Sequence, residues 1–374
     1  MSRVRAGRAQ GATYVELFFD LVFVYAITQL TSLVLHDLTW GGVTKAALLF
    51  WLVWWAWTQF TWTLNLADTE HVWVRLPTLI ATAVAFFLAQ SVPDAFGDAG
   101  AWFAVSYVVV RLVGLGVQAW VIGSDQLESL LTWASLSFVG IGLVMIGGFV
   151  APETRVWFWL GALLADLVSA VRAGRGVWVL EAGHFAERHG LIVIIALGES
   201  LIAAGVASSD VERGLMFAVT TGGAVIATCA LWWTYFGTFQ QRLEARLAGQ
   251  TDATRGAFAR DVYSFWHAAI VAGVIGVAVA FEEAISHPDD ALSSGAGLAL
   301  TLGAALFLGG QASSAARAGA QEAVLPRAVV ALIVLAMTPL IAQIPAWAAL
   351  WGLASLTVTM ELIETRRTPR HLVA

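Results

Sequence analysis

The sequence predicts an all-α, polytopic transmembrane helical bundle, about 12 TM helices arranged as two parallel six-helix repeats with N- and C-termini cytoplasmic. Three observations predict it. Only 12% of the residues are charged and 59% are hydrophobic, whereas a soluble domain carries roughly 25% charged residues. Apolar runs near the length of a bilayer span, about 20 residues, recur from end to end. The arginines sort by loop, as the positive-inside rule requires of a multi-pass protein.

Charges, Gly and Pro bound the spans at 15–36, 44–66, 73–92, 101–122, 130–150, 156–172, 188–207, 214–238, 262–285, 296–315, 327–343 and 346–363. The last two are separated only by the Gln343–Pro345 turn and read as a helical hairpin. With the N-terminus inside, Arg3, Arg5, Arg8, Arg75, Arg172, Arg175, Arg188, Arg242, Arg246, Arg255, Arg260, Arg317, Arg327, Arg366, Arg367 and Arg370 fall on the cytoplasmic side. Only Lys45, Arg155 and Arg213 fall outside, and Arg111 lies within a span. Sixteen against three favours an even count and both termini in the cytoplasm of a bacterial inner membrane. The domains are then a basic tail over 1–13, a first six-span repeat over 14–180, a second over 181–365 and a short tail over 366–374. Met1–Thr13 holds three Arg and no apolar stretch with a cleavage site, so it reads as a tail rather than a cleaved signal.

The two inner loops of some length are Arg172–His189 and Gln240–Asp261, the first half of the latter a short surface helix. The single cysteine, Cys229, permits no disulfide framework and reads as a packing residue.

An offset of about 170 residues sets the Asp20–Gln29 segment beside Gly190–Glu199, and a slightly larger one sets Trp54-Trp55 on Trp232-Trp233. Six spans per half give both halves the same orientation, so the first and seventh helices should meet across a pseudo-two-fold axis.

A charge at membrane depth is expensive unless paired or hydrated, so each one is a candidate functional group. In the first helix Glu16 and Asp20 share a face, with Thr28 and Thr31 continuing the polar stripe. The plainer reading of Glu16 is a cap on the helix start. Glu199 lies about two-thirds across the seventh span, flanked by Gly198, which with Gly205 would admit a close backbone neighbour. Upstream, Glu181, His184 and Glu187 recur every three residues, followed by Arg188 and His189. If helical, they present the Glu-x-x-His spacing of carboxylate metal sites, with a divalent metal as candidate cofactor, or a proton relay. A mixed-charge interfacial loop is the alternative. Arg111 and Asp166 read as a structural pair, unless Arg111 takes Asp20, and His267 as a group able to reach Glu199. Glu282 and Glu283 read as outer-interface residues, Glu361 and Glu364 as inner-interface residues that snorkel. The Trp51, Trp54, Trp55, Trp57 and Trp62 cluster reads as packing and anchoring. No Walker loop, nucleophile elbow or His-Glu-x-x-His motif occurs, and the scattered Arg residues form no nucleic-acid patch.

Two segments, Glu16-Leu-Phe-Phe-Asp-Leu-Val-Phe-Val-Tyr-Ala-Ile-Thr-Gln-Leu30 and His184-Phe-Ala-Glu-Arg-His-Gly-Leu-Ile-Val-Ile-Ile-Ala-Leu-Gly-Glu-Ser200, resemble the bacterial low temperature requirement A (LtrA) family. The resemblance extends over roughly 10–365 and implies an integral membrane protein, with no reaction or substrate attached. It carries over onto Glu16, Asp20, His184, Glu187, Arg188, Gly198 and Glu199. The leading expectation is a transporter or ion/proton pathway acting on a small ion or small molecule, with Glu16, Asp20, Glu199, His184, Glu187, Arg188 and His267 as its binding residues. A membrane-embedded enzyme on a lipid-like substrate, with a His/carboxylate site at the cytoplasmic face, is the alternative, and a purely structural or sensory protein the third. A homo-oligomer in the bilayer is left open.

Overall fold

The computed structural model describes residues 11–123, 126–209 and 211–367. Arg3, Arg5, Arg8, Asp210 and Arg370 lie outside the described residues, as does most of the tails expected over 1–13 and 366–374. Every described element is helical: α1 Tyr14–His36, α2 Trp40–Leu64, α3 Val72–Ser91, α4 Gly100–Val121, α5 Leu127–Phe149, α6 Pro152–Ala173, α7 Ala182–Ala207, α8 Leu215–Phe236, α9 Phe239–Ala248, α10 Asp252–Ala259, α11 His267–Ser286, α12 Ser294–Ala318, α13 Gln321–Ala336, α14 Thr338–Ile341 and α15 Ala346–Arg367. A 3₁₀ turn, Val92–Asp94, follows α3, and a π-helical segment, Arg260–Trp266, joins α10 to α11.

Each expected span overlaps one helix or an adjoining pair of elements. Among the described residues, ten helical segments are long and apolar enough to cross a membrane. The other two expected spans are α2 and the α13–α14 pair. α2 is 25 residues long, but its Trp, Thr and Gln side chains and Lys45 dilute its apolar character, and 17 of its residues are buried in protein. α13 has only 16 residues before the break at Met337.

The helix ends follow their sequences. Pro152 opens α6 at the first turn, where no amide donor is needed. Ser293 caps α12, its hydroxyl accepting from Ala296 N at 3.2 Å, and Gly319 ends that helix at φ 74°, a conformation suited to glycine. Large apolar side chains remain exposed along the spans. On α5, Leu131, Phe138, Val139, Ile146 and Phe149 form one outward stripe, the surface that lipid rather than water would solvate. Cys229 lies exposed on α8, so the packing role expected for it is not observed.

The chain forms two compact units, the first of Met1–Leu33, Trp40–His189 and Glu244–Ser264, the second of Val34–Thr39, Gly190–Leu243 and Phe265–Ala374. In the first, α2 packs on α4 and α6, while α3 meets α4, α4 meets α5 and α5 meets α6. In the second, α8 packs on α11 and α15, while α11 meets α12, α12 meets α13 and α13 meets α15. α11 and α12 approach each other closely backbone to backbone. A Cβ at Gly303 would meet the Gly273 carbonyl and the Val277 amide, and one at Gly273 would meet the Gly303 carbonyl. Small residues here let two helices touch without intervening side chains. Gly303→Ala should therefore destabilise the protein by about 1–3 kcal/mol through overpacking. Gly309→Ala, where the added methyl meets nothing within 4 Å, should be neutral or stabilising, because Ala outranks Gly in a helix. Thermal unfolding of the two purified variants separates these outcomes, and equal melting would contradict the packing.

Candidate functional site

The site is a cluster of four ionisable side chains in the first unit. Its first half comes from the opening of α1. Glu16 stands three residues after Thr13, and its Oε2 accepts from the Thr13 amide (3.0 Å) and hydroxyl (2.9 Å). This is one arm of a capping box, which satisfies an amide the helix start leaves free. Asp20 follows one turn later on the same face, and both carboxylates are fully buried.

The second half comes from the start of α7. This helix begins at Ala182, six residues before the expected span at 188, so His184 to His189 are helical rather than part of an inner loop. Glu181 starts the helix: its carboxylate accepts from Gly183 N (3.3 Å) and His184 N (2.5 Å). Asn65, just past α2, holds that segment through Glu181 N→Oδ1 (2.7 Å) and Nδ2→Glu181 O (3.0 Å). His184 and Arg188, four residues apart, then share one face.

The halves meet directly. His184 Nε2 lies 3.0 Å from Glu16 Oε1, and Arg188 Nη1 donates to the same oxygen at 3.2 Å. Arg188 Nη2 donates to Asp20 Oδ1, which also accepts from Trp57 Nε1 at 2.7 Å. The guanidinium lies over the Trp57 ring, 5.9 Å from its centroid. Asp20 Oδ2 and Arg188 Nε are buried without a partner among the described residues.

Charge and hydrogen bonding agree on one further proton. With a neutral imidazole the cluster holds one positive and two negative charges, a net −1 in a fully enclosed place. His184 Nδ1 faces the Asn65 carbonyl at 3.2 Å while Nε2 faces the Glu16 carboxylate. Both neighbours are acceptors, and a neutral imidazole has only one N–H to give. One proton shared by His184 and the carboxylates satisfies both faces and brings the sum to zero.

A match to the pattern of the Bacterial low temperature requirement A protein (LtrA) covers residues 11–362, both halves of the cluster included. The chain belongs to the LtrA family. It is also 31% identical over 316 residues to the uncharacterized protein RA0937 of Rhizobium meliloti (strain 1021), covering 80% of this chain and 76% of that protein. No solved structure matches it.

The other expected residues of this LtrA-family chain stand apart from the cluster. Glu187 points away from it: the side chain is exposed and accepts from Ala12 N at 2.9 Å. Glu181, His184 and Glu187 therefore do not converge as a ligand set, because one caps, one faces α1 and one faces outward. Among the described residues, no group of three or more His, Cys, Asp or Glu side chains could hold a metal ion.

Arg111 takes Asp166, not Asp20, through Nη2→Oδ1 at 3.3 Å and Nη1→Oδ2 at 3.4 Å. Gln59 Oε1 accepts from its Nε and the Tyr107 hydroxyl from its Nη1. Glu199 is half-buried and belongs to the second unit, eleven positions after Arg188 in the chain. The close backbone neighbour expected at Gly198 and Gly205 is not observed, since a Cβ at either meets nothing within 4 Å. His267, fully buried in the second unit, bonds the Tyr235 hydroxyl through Nε2 at 2.8 Å.

Sequence reasoning missed Trp57 and Asn65. It also did not foresee the pairing of Arg327, set at the cytoplasmic start of the span 327–343, with Glu364, set at the inner interface. Both are buried, and Arg327 holds Glu364 through Nε (2.9 Å) and Nη2 (3.1 Å).

Proposed function

We propose that this LtrA-family membrane protein is a bacterial inner-membrane secondary transporter or ion pathway, in which Glu16, Asp20, His184 and Arg188 carry one exchangeable proton. The observation that carries this reading is the enclosed net charge of −1 beside a histidine whose two nitrogens both face acceptors. Proton loading neutralises the cluster and proton loss recharges it, the two states that coupled transport needs. Glu199, in the second unit, is a further acidic candidate for the same function. Twelve spans, parallel repeats and cytoplasmic termini belong to the same proposal. The loop-arginine asymmetry supports them. So does the order of packing, since in each unit the second expected span meets the sixth and the third to sixth meet in succession.

Asp20→Asn keeps the side-chain shape and leaves one positive charge against one negative, so charge balance no longer calls for an extra proton and the fold should persist. In proteoliposomes under an imposed membrane potential, the wild-type protein should move protons or a small cation. Asp20→Asn and Glu199→Gln should reduce that movement by about tenfold or more, in line with losing an essential charged group. Undiminished movement in Asp20→Asn, or wild-type vesicles no leakier than empty ones, would overturn the proposal.

A further inference from the structure

On the face of α2 turned away from the acidic cluster lies a cavity of about 40 Å³ walled by Trp55, Trp62, Trp133 and Trp178. The α2 residues Trp55, Thr58, Gln59 and Trp62 that line it recur at helical spacing. They point roughly 150° around the helix from Trp57, which holds Asp20. The cavity is thus separate from the proton-carrying cluster, although both belong to the first unit.

Three observations bear on its use. First, Thr58 and Gln118 line it, and Thr58 Oγ1 and Gln118 Oε1 are buried without a hydrogen-bond partner among the described residues. Both side chains are nine-tenths buried or more. A buried oxygen left without a donor is a cost the fold would shed unless something supplies the donor.

Second, the Trp62 and Trp178 indole N–H groups are already committed, Trp62 to Ser264 Oγ at 3.0 Å and Trp178 to Ala173 O at 2.8 Å. These two rings therefore have no indole N–H left for a guest, and what they can offer it is carbon and π surface. Third, one wall is the π-helical segment Arg260–Trp266, which contributes Arg260 and Ser264. Its altered hydrogen-bond ladder goes with a Ser264 carbonyl that accepts from Trp54 Nε1 at 2.7 Å. Such segments concentrate at functional sites.

The charge balance at the wall permits a cation. Arg260 is neutralised locally by Asp261, which accepts from Nε at 2.8 Å and from Nη2, while Nη1 turns to Val171 O at 3.2 Å. Thr58 Oγ1 and Gln118 Oε1 are the acceptors left unmet, and an apolar guest would leave both so. A group with several N–H donors and a positive charge meets both requirements, because the tryptophan face is the strongest cation–π partner among side chains. At roughly 10–15 Å³ per water-sized guest, the cavity has room for ammonium or a methyl-substituted amine, and a tetraalkyl cation has no N–H to give the two oxygens.

We propose that this tryptophan-walled cavity binds a small protonated amine, ammonium to methylammonium in size, with Gln118 Oε1 and Thr58 Oγ1 accepting its N–H groups.

The full-length protein, purified in detergent, is titrated with methylammonium chloride, potassium chloride or tetramethylammonium chloride at constant ionic strength. Intrinsic tryptophan fluorescence and melting temperature are recorded. Methylammonium should give a saturable change that neither other cation reproduces. Gln118→Leu should weaken the midpoint by about tenfold or more and Thr58→Val by a smaller factor, as for lost hydrogen bonds to a charged group. Each variant should elute and melt as wild type without amine. Coincident curves for methylammonium and potassium would overturn the proposal, as would an unchanged midpoint in the folded variants. The wild-type titrations decide the matter alone should a variant fail to fold. Loss of proton movement in Asp20→Asn with amine binding intact would show the two sites to be independent.

Discussion

Arg188→Met should lower the stability of the purified protein by about 3–5 kcal/mol, the cost of leaving buried charge uncompensated. Its guanidinium is the arginine that neutralises both Glu16 and Asp20, with contacts at 3.2 Å to the first and a direct bond to the second. Methionine retains the bulk and the contact with Trp57, so the loss reports on charge rather than on a void. The carboxylates can recover part of it by taking up protons, which shifts the penalty toward higher pH. A second substitution isolates the cause. Arg188→Met with Asp20→Asn removes one orphaned carboxylate and should melt above the single variant, a coupling of about 0.5–3 kcal/mol. Thermal unfolding of the four proteins in one detergent measures the cycle. Additive effects would mean that Arg188 and Asp20 do not depend on each other.

The two helices that build this cluster were legible to different degrees. α1 was plain in the sequence: a run of 20 and more apolar residues interrupted on one face by Glu16 and Asp20 has few alternatives. The start of α7 was not. Ala182 to Gly190 carries four ionisable side chains and two glycines, a composition that reads as loop. It is helical because Glu181 caps it and because Glu16, Asp20 and Asn65 satisfy its polar face. Those partners lie 116 or more positions away in sequence, beyond the reach of local pattern. Trp57 failed for a related reason. It is one of eighteen tryptophans, and no local feature distinguishes the indole that meets a carboxylate from one that anchors in lipid. The Arg327–Glu364 pair was not foreseen because a charge at a span end, as each of these is, reads as an interfacial residue. Their burial depends on α13 packing against α15.

The Arg111–Asp166 pair offers the second large effect and a contrast with the first. Arg111 is wholly enclosed and makes four hydrogen bonds: two to Asp166 and one each to Gln59 and Tyr107. It also lies over the Trp133 ring, 6.0 Å from the centroid. Here one positive charge meets one negative, and no spare charge calls for a proton. Arg111→Met should therefore cost about 3–5 kcal/mol, since Asp166 is left alone in an apolar interior. Replacing both partners, Arg111→Met with Asp166→Leu, should recover most of that loss, because a buried ion pair is often matched by apolar residues of similar volume. The same double variant should leave proton movement in vesicles at the wild-type level, whereas any variant lacking Asp20 should not. Thermal unfolding and vesicle flux on one set of proteins thus separate the two buried networks. A double variant that stays as unstable as Arg111→Met would assign the cost to lost packing around Gln59 and Tyr107. A double variant that folds but moves no protons would place Arg111 and Asp166 on the transport path itself.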